Sequence, residues 1–221
     1  MHIAIFKMNK KYNTALIFDL DGTLWNACET IAQAWEQVRK DFAIAGKIID
    51  KEAVEGICGL TTEEVFKVIF PNNYQNKSLI EACLKAQSDL LAAQGGKPYE
   101  GVIDMLHNLA KDYNLFIVSN CQKGYIELFI NQFQLADQIK DFACYGDALQ
   151  PKAYNIKTIL KRNAIEKAVY IGDTMGDCQA SRANELPFIY CAYGFGHVAP
   201  SQYNFVLHQF QDIKIFLDEQ A

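Results

Sequence analysis

Ala15-Leu16-Ile17-Phe18-Asp19-Leu20-Asp21-Gly22-Thr23-Leu24 passes without a break from an apolar run into a pair of acids. Four consecutive apolar residues predict a strand buried on both faces, and the change to Asp and Gly predicts its end. In an extended chain the Leu20 side chain points away, so Asp19 and Asp21 can face one pocket. At about 4 Å and an effective dielectric near 20, like charges repel by roughly 4 kcal/mol. A bound hard cation turns that repulsion into attraction. Gly22 lets the backbone turn tightly, and Thr23 adds a hydroxyl. The segment reads as a nucleophile and an acid beside a metal ion.

Further along the chain, similar apolar runs end in polar residues. Leu115-Phe116-Ile117-Val118 ends in Ser119-Asn120, and Ala168-Val169-Tyr170-Ile171 ends in Gly172-Asp173. Phe188-Ile189-Tyr190-Cys191 is another strand candidate and Phe205-Val206-Leu207 a weaker one. Helical spacings lie between them, at Val102, Met105/Leu106 and Leu109, and at Ile126, Phe129/Ile130 and Phe133. Continuous apolar strands separated by helices predict an α/β fold, a Rossmann-like three-layer core with a central parallel sheet. In such sheets ligands bind outside the carboxyl ends of the strands, where these polar motifs fall.

One stretch breaks the alternation. Between Trp25 and Gly96 the spacings are helical and no strand is evident. Ile31, Trp35, Val38 and Phe42 form one stripe, Val65/Phe66, Ile69 and Phe70 a second, and Leu79, Cys83, Ala86 and Leu90 a third. Gly95-Gly96 and Pro98 read as a hinge. The expected division is a core of residues 1–24 and 97–221 with an all-helical cap domain, 25–96, inserted over the site. No repeat or low-complexity tract is evident.

Composition narrows the function classes. The 221 residues are 50% hydrophobic and 21% charged, which is globular rather than disordered. A net charge of −5 offers no electrostatic footprint for nucleic acid or an anionic membrane. No run approaches the ~18 apolar residues of a membrane span. At the start, Ile3–Phe6 precedes Lys7, Lys10 and Lys11, the reverse of a secretory leader's order. Seven cysteines without CxxC spacing read as free thiols of a cytoplasmic protein. The expected partner is a small molecule, and the oligomeric state is open.

Four motifs in order resemble the haloacid dehalogenase superfamily with a helical cap, in its phosphoglycolate phosphatase and beta-phosphoglucomutase branch. They are Asp19-Leu20-Asp21-Gly22-Thr23, Ser119-Asn120, Lys152, and Gly172-Asp173-Thr174-Met175-Gly176-Asp177. The resemblance implies that Asp19 is the nucleophile, forming an aspartyl-phosphate, and that Asp21 is the general acid and base. It implies a Mg²⁺ cofactor held by Asp19, the main-chain carbonyl of Asp21, and Asp173, with Asp177 supporting or acting through water. Thr23, Ser119, the main-chain amide of Asn120 and Lys152 would hold the phosphoryl group.

Taken singly, each motif has an ordinary structural explanation: a turn, a helix cap or a solvated lysine. One pocket explains all four. Lys157 and Lys161 are poorer choices than Lys152. Cys121, Cys178 and His197 read as packing or surface residues. Trp25 and Asn26 depart from the family pattern, which carries a small apolar residue and an aspartate there. Dehalogenases and phosphonate-cleaving relatives lack a carboxylate at the position of Asp21, so its presence points to an ester of phosphate. Within that chemistry, Gly56-Ile57-Cys58-Gly59-Leu60-Thr61-Thr62 looks like the specificity loop and offers no Arg or Lys for a second phosphate. A phosphatase of small phosphomonoesters is therefore favoured over a sugar phosphomutase or a non-catalytic phosphate-binding protein.

Overall fold

The computed structural model describes residues 14–220, so the reading of Ile3–Lys11 lies outside the described residues. Strand β1 (Thr14–Phe18) is followed by a two-residue strand, β2 (Trp25–Asn26). Helices α1 (Cys28–Asp41), α2 (Lys51–Glu55), α3 (Thr62–Ile69) and α4 (Lys77–Gln94) come next. A second short strand, β3 (Lys97–Pro98), leads to α5 (Val102–Leu109), β4 (Asn114–Ser119), α6 (Tyr125–Gln132) and β5 (Ile139–Cys144). The chain continues through α7 (Tyr145–Ala148), α8 (Lys152–Arg162), β6 (Lys167–Gly172) and α9 (Met175–Arg182). It ends with β7 (Phe188–Cys191), β8 (Phe205–Leu207) and α10 (Ile213–Glu219).

Six strands form one sheet in the order β5-β4-β1-β6-β7-β8, and every pairing is parallel. From β1 the chain moves outward through β4 and β5, then returns to the other side of β1 as β6. The order reverses between β1 and β6, which opens a crevice at their carboxyl ends. Every residue of β1 is buried, as its unbroken apolar run requires. Leu16 and Phe18 share one face with Leu115, Ile117, Val169 and Ile171, packed with side chains of α5, α6 and α10. Ala15 and Ile17 share the other with Phe116, Val118 and Tyr170, packed with Ile156 and Ile159 of α8 and Cys178 of α9.

Strand β5 was not evident in the sequence, because Lys140 and Asp141 interrupt its apolar residues. It is an edge strand, and Arg162 clamps Asp141 through two hydrogen bonds of 2.6 and 2.5 Å. Charge on an edge discourages pairing with another sheet.

The stretch expected to be all helical also departs slightly. Trp25–Asn26 pairs antiparallel with Lys97–Pro98, so the chain leaves for the helical insertion and returns from it side by side. Trp25 is fully buried and packs edge-on against Tyr125, Phe129 and Phe133, with ring centroids 5.4, 5.3 and 6.5 Å away. Asn26 accepts from the Cys28 amide and donates to Glu55, tying α1 to α2. In α1, Ile31, Trp35 and Val38 are buried as expected, whereas Phe42 caps the helix and is 38% exposed. In α4 the buried residues are Leu79, Cys83, Gln87 and Leu91 rather than Ala86 and Leu90. The interior stripe runs at i, i+4, and hydropathy alone does not reveal a buried glutamine on it.

Glu36 organises the turn after α1. It pairs with Arg39 at 2.7 Å and accepts from the Ile49 amide at 3.0 Å, while Arg39 donates to the Ile44 carbonyl. The Arg39 guanidinium lowers the Glu36 carboxyl from 4.5 to about 2. Its folded-state value lies below the unfolded one, so this stability is complete above pH 4.5 and lost as pH falls toward 2. Glu36→Gln should lower stability at pH 7 by about 1–2 kcal/mol, discounted for a partly solvated pair, and flatten the acid limb. Urea melts of both proteins at pH 7 and pH 3 check this.

Candidate active site

Asp19 follows the last residue of β1 and donates its amide to the Ile171 carbonyl of β6 at 2.8 Å. That bond fixes the start of the loop against the neighbouring strand. Gly22 then turns the chain with φ +79, a conformation that side chains resist. A Cβ there would lie 2.2 Å from Asp173 Oδ2, so glycine is also needed for space. Gly194 approaches from the other side, where a Cβ would come within 2.3 Å of the Asp173 Cβ. Asp173 is thus enclosed by backbone.

Three carboxylates meet at this point. Ligand atoms of Asp19, Asp173 and Asp177 lie within 4.8 Å of one another, and all three residues are buried. Asp173, just past β6, accepts from the Phe195 and Gly196 amides at 2.8 and 3.3 Å. Asp177 closes a capping box at the start of α9, with its Oδ2 accepting from the Thr174 amide at 2.9 Å. Its Oδ1 faces Lys152 Nζ at 2.5 Å and the Tyr170 hydroxyl at 3.3 Å. The helix-capping reading of the GDTMGD segment and its acidic cluster are one structure. Asp177 serves the cap through one oxygen and the cluster through the other.

Lys152 begins α8 and is 4% exposed; Lys157 and Lys161 on the same helix face solvent. Its ammonium lies 2.9 Å from Asp19 Oδ1. Burial alone would lower the lysine, but Asp177 and Asp19 together hold it above its ordinary value. Burial raises Asp19 from 3.8 to about 6, opposed by Lys152 and reinforced by Asp177. Asp173 is pushed well up by burial and then by Asp177 and Asp19. One ammonium is too few for three carboxylates. An all-oxygen donor set with surplus negative charge fits a hard divalent cation.

Asp21 sits outside the three-carboxylate cluster. Its side chain accepts a 2.7 Å hydrogen bond from the Tyr125 hydroxyl of α6. Burial raises it to about 7, against that hydrogen bond and with the charge of Asp19. Ser119 ends β4 and is buried. Asn120 donates from Nδ2 to the Gly59 carbonyl at 2.8 Å, joining this loop to the insertion's glycine loop. The Thr23 hydroxyl is buried 3.5 Å from Asp173 Oδ1. His197 is exposed. Burial raises the Cys121 and Cys178 thiols, so neither is an activated nucleophile.

The structure therefore brings Asp19, Lys152, Asp173 and Asp177 into direct reach, with Asp21, Ser119 and Asn120 lining an adjoining cavity. Sequence reasoning missed Tyr125, which sits in a helical apolar stripe and looks like core. It also missed Tyr193, whose hydroxyl donates to the Thr23 carbonyl at 2.8 Å.

Carboxylates, a buried lysine and a hydroxyl at the carboxyl ends of a parallel sheet define an α/β enzyme with acid-centred chemistry. Its sequence matches the profile of haloacid dehalogenase-like hydrolases over residues 16–191. The chain belongs to that family. It is 26% identical to pyrophosphatase PpaX of Listeria welshimeri over 94% of this chain and 98% of the relative, and equally to that of Listeria innocua. A haloacid dehalogenase-like hydrolase from Streptococcus pneumoniae superposes with a TM-score of 0.76 at 22% identity, covering 92% of this chain and 98% of that one. A predicted phosphoglycolate phosphatase from Haemophilus somnus gives 0.78 at 17% identity, covering 96% and 97%. At such identities the structural likeness speaks for the fold. Among the described residues no helix is long and apolar enough to cross a membrane.

Proposed function

We propose that this hydrolase is a Mg²⁺-dependent phosphatase of small phosphomonoesters, working as phosphoglycolate phosphatases do, through an aspartyl-phosphate. The observation that carries the reading is the ion pair of Lys152 with Asp19 inside a three-carboxylate cluster. Asp19 is the only member of that cluster beside the open cavity. Its free oxygen attacks phosphorus, the bond to the leaving oxygen breaks, and Asp21 gives that oxygen a proton. Asp21 then takes a proton from the water that hydrolyses the acyl phosphate, and inorganic phosphate leaves. Tyr125 holds Asp21 in place for both transfers. Ser119, Thr23 and the Asn120 amide steady the phosphoryl oxygens beside Lys152.

Asp19, Asp173 and the Asp21 main-chain carbonyl would hold Mg²⁺, with Asp177 in support. When bound, the ion neutralises phosphoryl charge and draws the acids together. Residues 25–96 act as a cap domain on a core of 1–24 and 97–221, and the Asn120–Gly59 hydrogen bond latches the two. All seven cysteines are free thiols, in keeping with action in the cytoplasm on a soluble phosphorylated metabolite rather than nucleic acid or membrane.

Phosphate release from a phosphometabolite panel tests this reading, with pyrophosphate included because the Listeria relatives carry that name. EDTA should stop release, Mg²⁺ should restore it, and Ca²⁺ should restore it poorly because it favours more ligands at longer distances. Full turnover in EDTA would remove the cation from the account. Conversion of a hexose 1-phosphate to its 6-phosphate isomer without phosphate release would mean a mutase instead.

A further inference from the structure

The cavity beside Asp19 has two unlike sides. Its core side carries Asp19, Asp21, Ser119 and Asn120. Its insertion side is built of apolar residues, among them Ile31, Trp35, Val54, Leu60, Phe66 and Leu84. Among the described residues that line it, none is Lys, Arg or His. A leaving group with a negative charge would meet hydrocarbon on that side, without a counter-ion, and an unpaired charge there is strongly disfavoured.

Trp35, Gln87 and Thr62 bring polar groups to this mostly apolar side. Trp35 Nε1 and Gln87 Oε1 are both buried with no hydrogen-bond partner, on residues 5% and 3% exposed. Buried polar groups in folded proteins are nearly always paired, so each calls for a partner. Gln87 lies among Leu79, Cys83 and Leu91 on the interior stripe of α4, where packing alone favours an apolar residue. The indole N–H needs an acceptor, and the amide oxygen needs a donor. A neutral hydroxyl can serve as either.

From this we infer the substrate class: phosphate monoesters whose leaving group is uncharged and mostly apolar, and carries a hydroxyl that donates to Gln87. The inference rests on the phosphatase reading above and narrows it. Phosphoglycolate, with its carboxylate, and pyrophosphate, with its second phosphate, are poor substrates on this account. The alcohol departs with the proton from Asp21, and its uncharged body stays among Ile31, Val54 and Phe66 until the cap opens.

The test compares kcat/KM, by phosphate release in Mg²⁺, for 3-hydroxybutyl phosphate, n-butyl phosphate, phosphoglycolate and pyrophosphate, with an aryl phosphate as general reporter. The hydroxybutyl ester should exceed both anionic substrates by at least ~10-fold. Gln87→Leu should erase an advantage of roughly 10-fold of the hydroxybutyl over the butyl ester, lowering kcat/KM far more for the first than for the second. A merely structural role would lower both esters alike. Leu60→Arg places a cation at the exposed rim and should move the preference toward phosphoglycolate by about 10-fold, whether or not the Gln87 variant folds. If wild type prefers phosphoglycolate or pyrophosphate to both neutral esters, the inference falls and the phosphatase stands. The same holds if Gln87→Leu leaves the advantage of the hydroxybutyl ester unchanged or Leu60→Arg leaves the preference unmoved. If no ester, the aryl phosphate included, releases phosphate, both fall together.

Discussion

Asp19→Asn should lose phosphate release by roughly 10⁴-fold, about 5 kcal/mol of transition-state stabilisation, and should remain folded. Asparagine fills the same volume, so the backbone bond from residue 19 to Ile171 survives. Electrostatically the change is close to neutral for the fold. Lys152 loses one anion but keeps Asp177 at 2.5 Å, and the cluster loses one of its repelling charges. An amide has no anionic oxygen to attack phosphorus, so no covalent intermediate forms. Two measurements separate the chemistry from the fold: steady-state phosphate release with urea melts, and acid-quenched trapping of labelled phosphoenzyme. Wild type should show a labelled, alkali-labile species, and the variant none. Activity within about 10-fold of wild type, with a normal melt, would move the nucleophile elsewhere.

Asp19, Ser119 and Asp173 were legible because each stands at a strand end, where a local change from apolar to polar residues marks it, and Asp177 followed Asp173 in the same motif at the start of α9. Asp19 follows Phe18, Ser119 follows Val118, and Asp173 comes after Ile171 and Gly172. A parallel sheet gathers such ends on one edge, so three separate motifs implied one site. The strands with unbroken apolar runs were readable for the same reason. Strand β5 was not, because an edge strand needs only part of its surface buried and tolerates Lys140 and Asp141. The polar atoms of Tyr125, Trp35 and Gln87 were invisible for a different reason. Each residue sits in a helix whose apolar neighbours explain its position, and only the packed structure gives their polar atoms a direction or a missing partner. Hydropathy reports which face is buried, not what it is buried against.

Lys152→Met should be the most destabilising single change in the site, and its effect should depend on both pH and Mg²⁺. The lysine is almost wholly buried, and its ammonium faces Asp19, Asp177 and, at 5.9 Å, the Tyr170 ring. Methionine fills much of the stem's volume but leaves three buried carboxylates without their cation. Removing one partner of a buried charge cluster costs about 3–5 kcal/mol, and at ~2–4 °C per kcal/mol the melting temperature should drop by on the order of 10 °C. In wild type the lysine's folded value lies above its unfolded one, so its contribution is complete below the ordinary lysine range and lost only at more alkaline pH. In the variant the carboxylates themselves decide the profile. Asp19, already raised to about 6 in wild type, and Asp173, already well up, lose the opposing ammonium and rise further, so the folded state binds more protons than the unfolded. Stability of the variant should therefore rise as pH falls from 8 to 5, more steeply than that of wild type, whose raised Asp19 and Asp21 give its profile the same sign. Mg²⁺ supplies positive charge to the same carboxylates and should raise the variant's melting temperature by more than that of wild type. Thermal melts at pH 5 and pH 8, each with EDTA and with Mg²⁺, carry the whole prediction. A loss that is the same under all four conditions would mean that the methionine merely packs badly, and that the cluster does not depend on a cation.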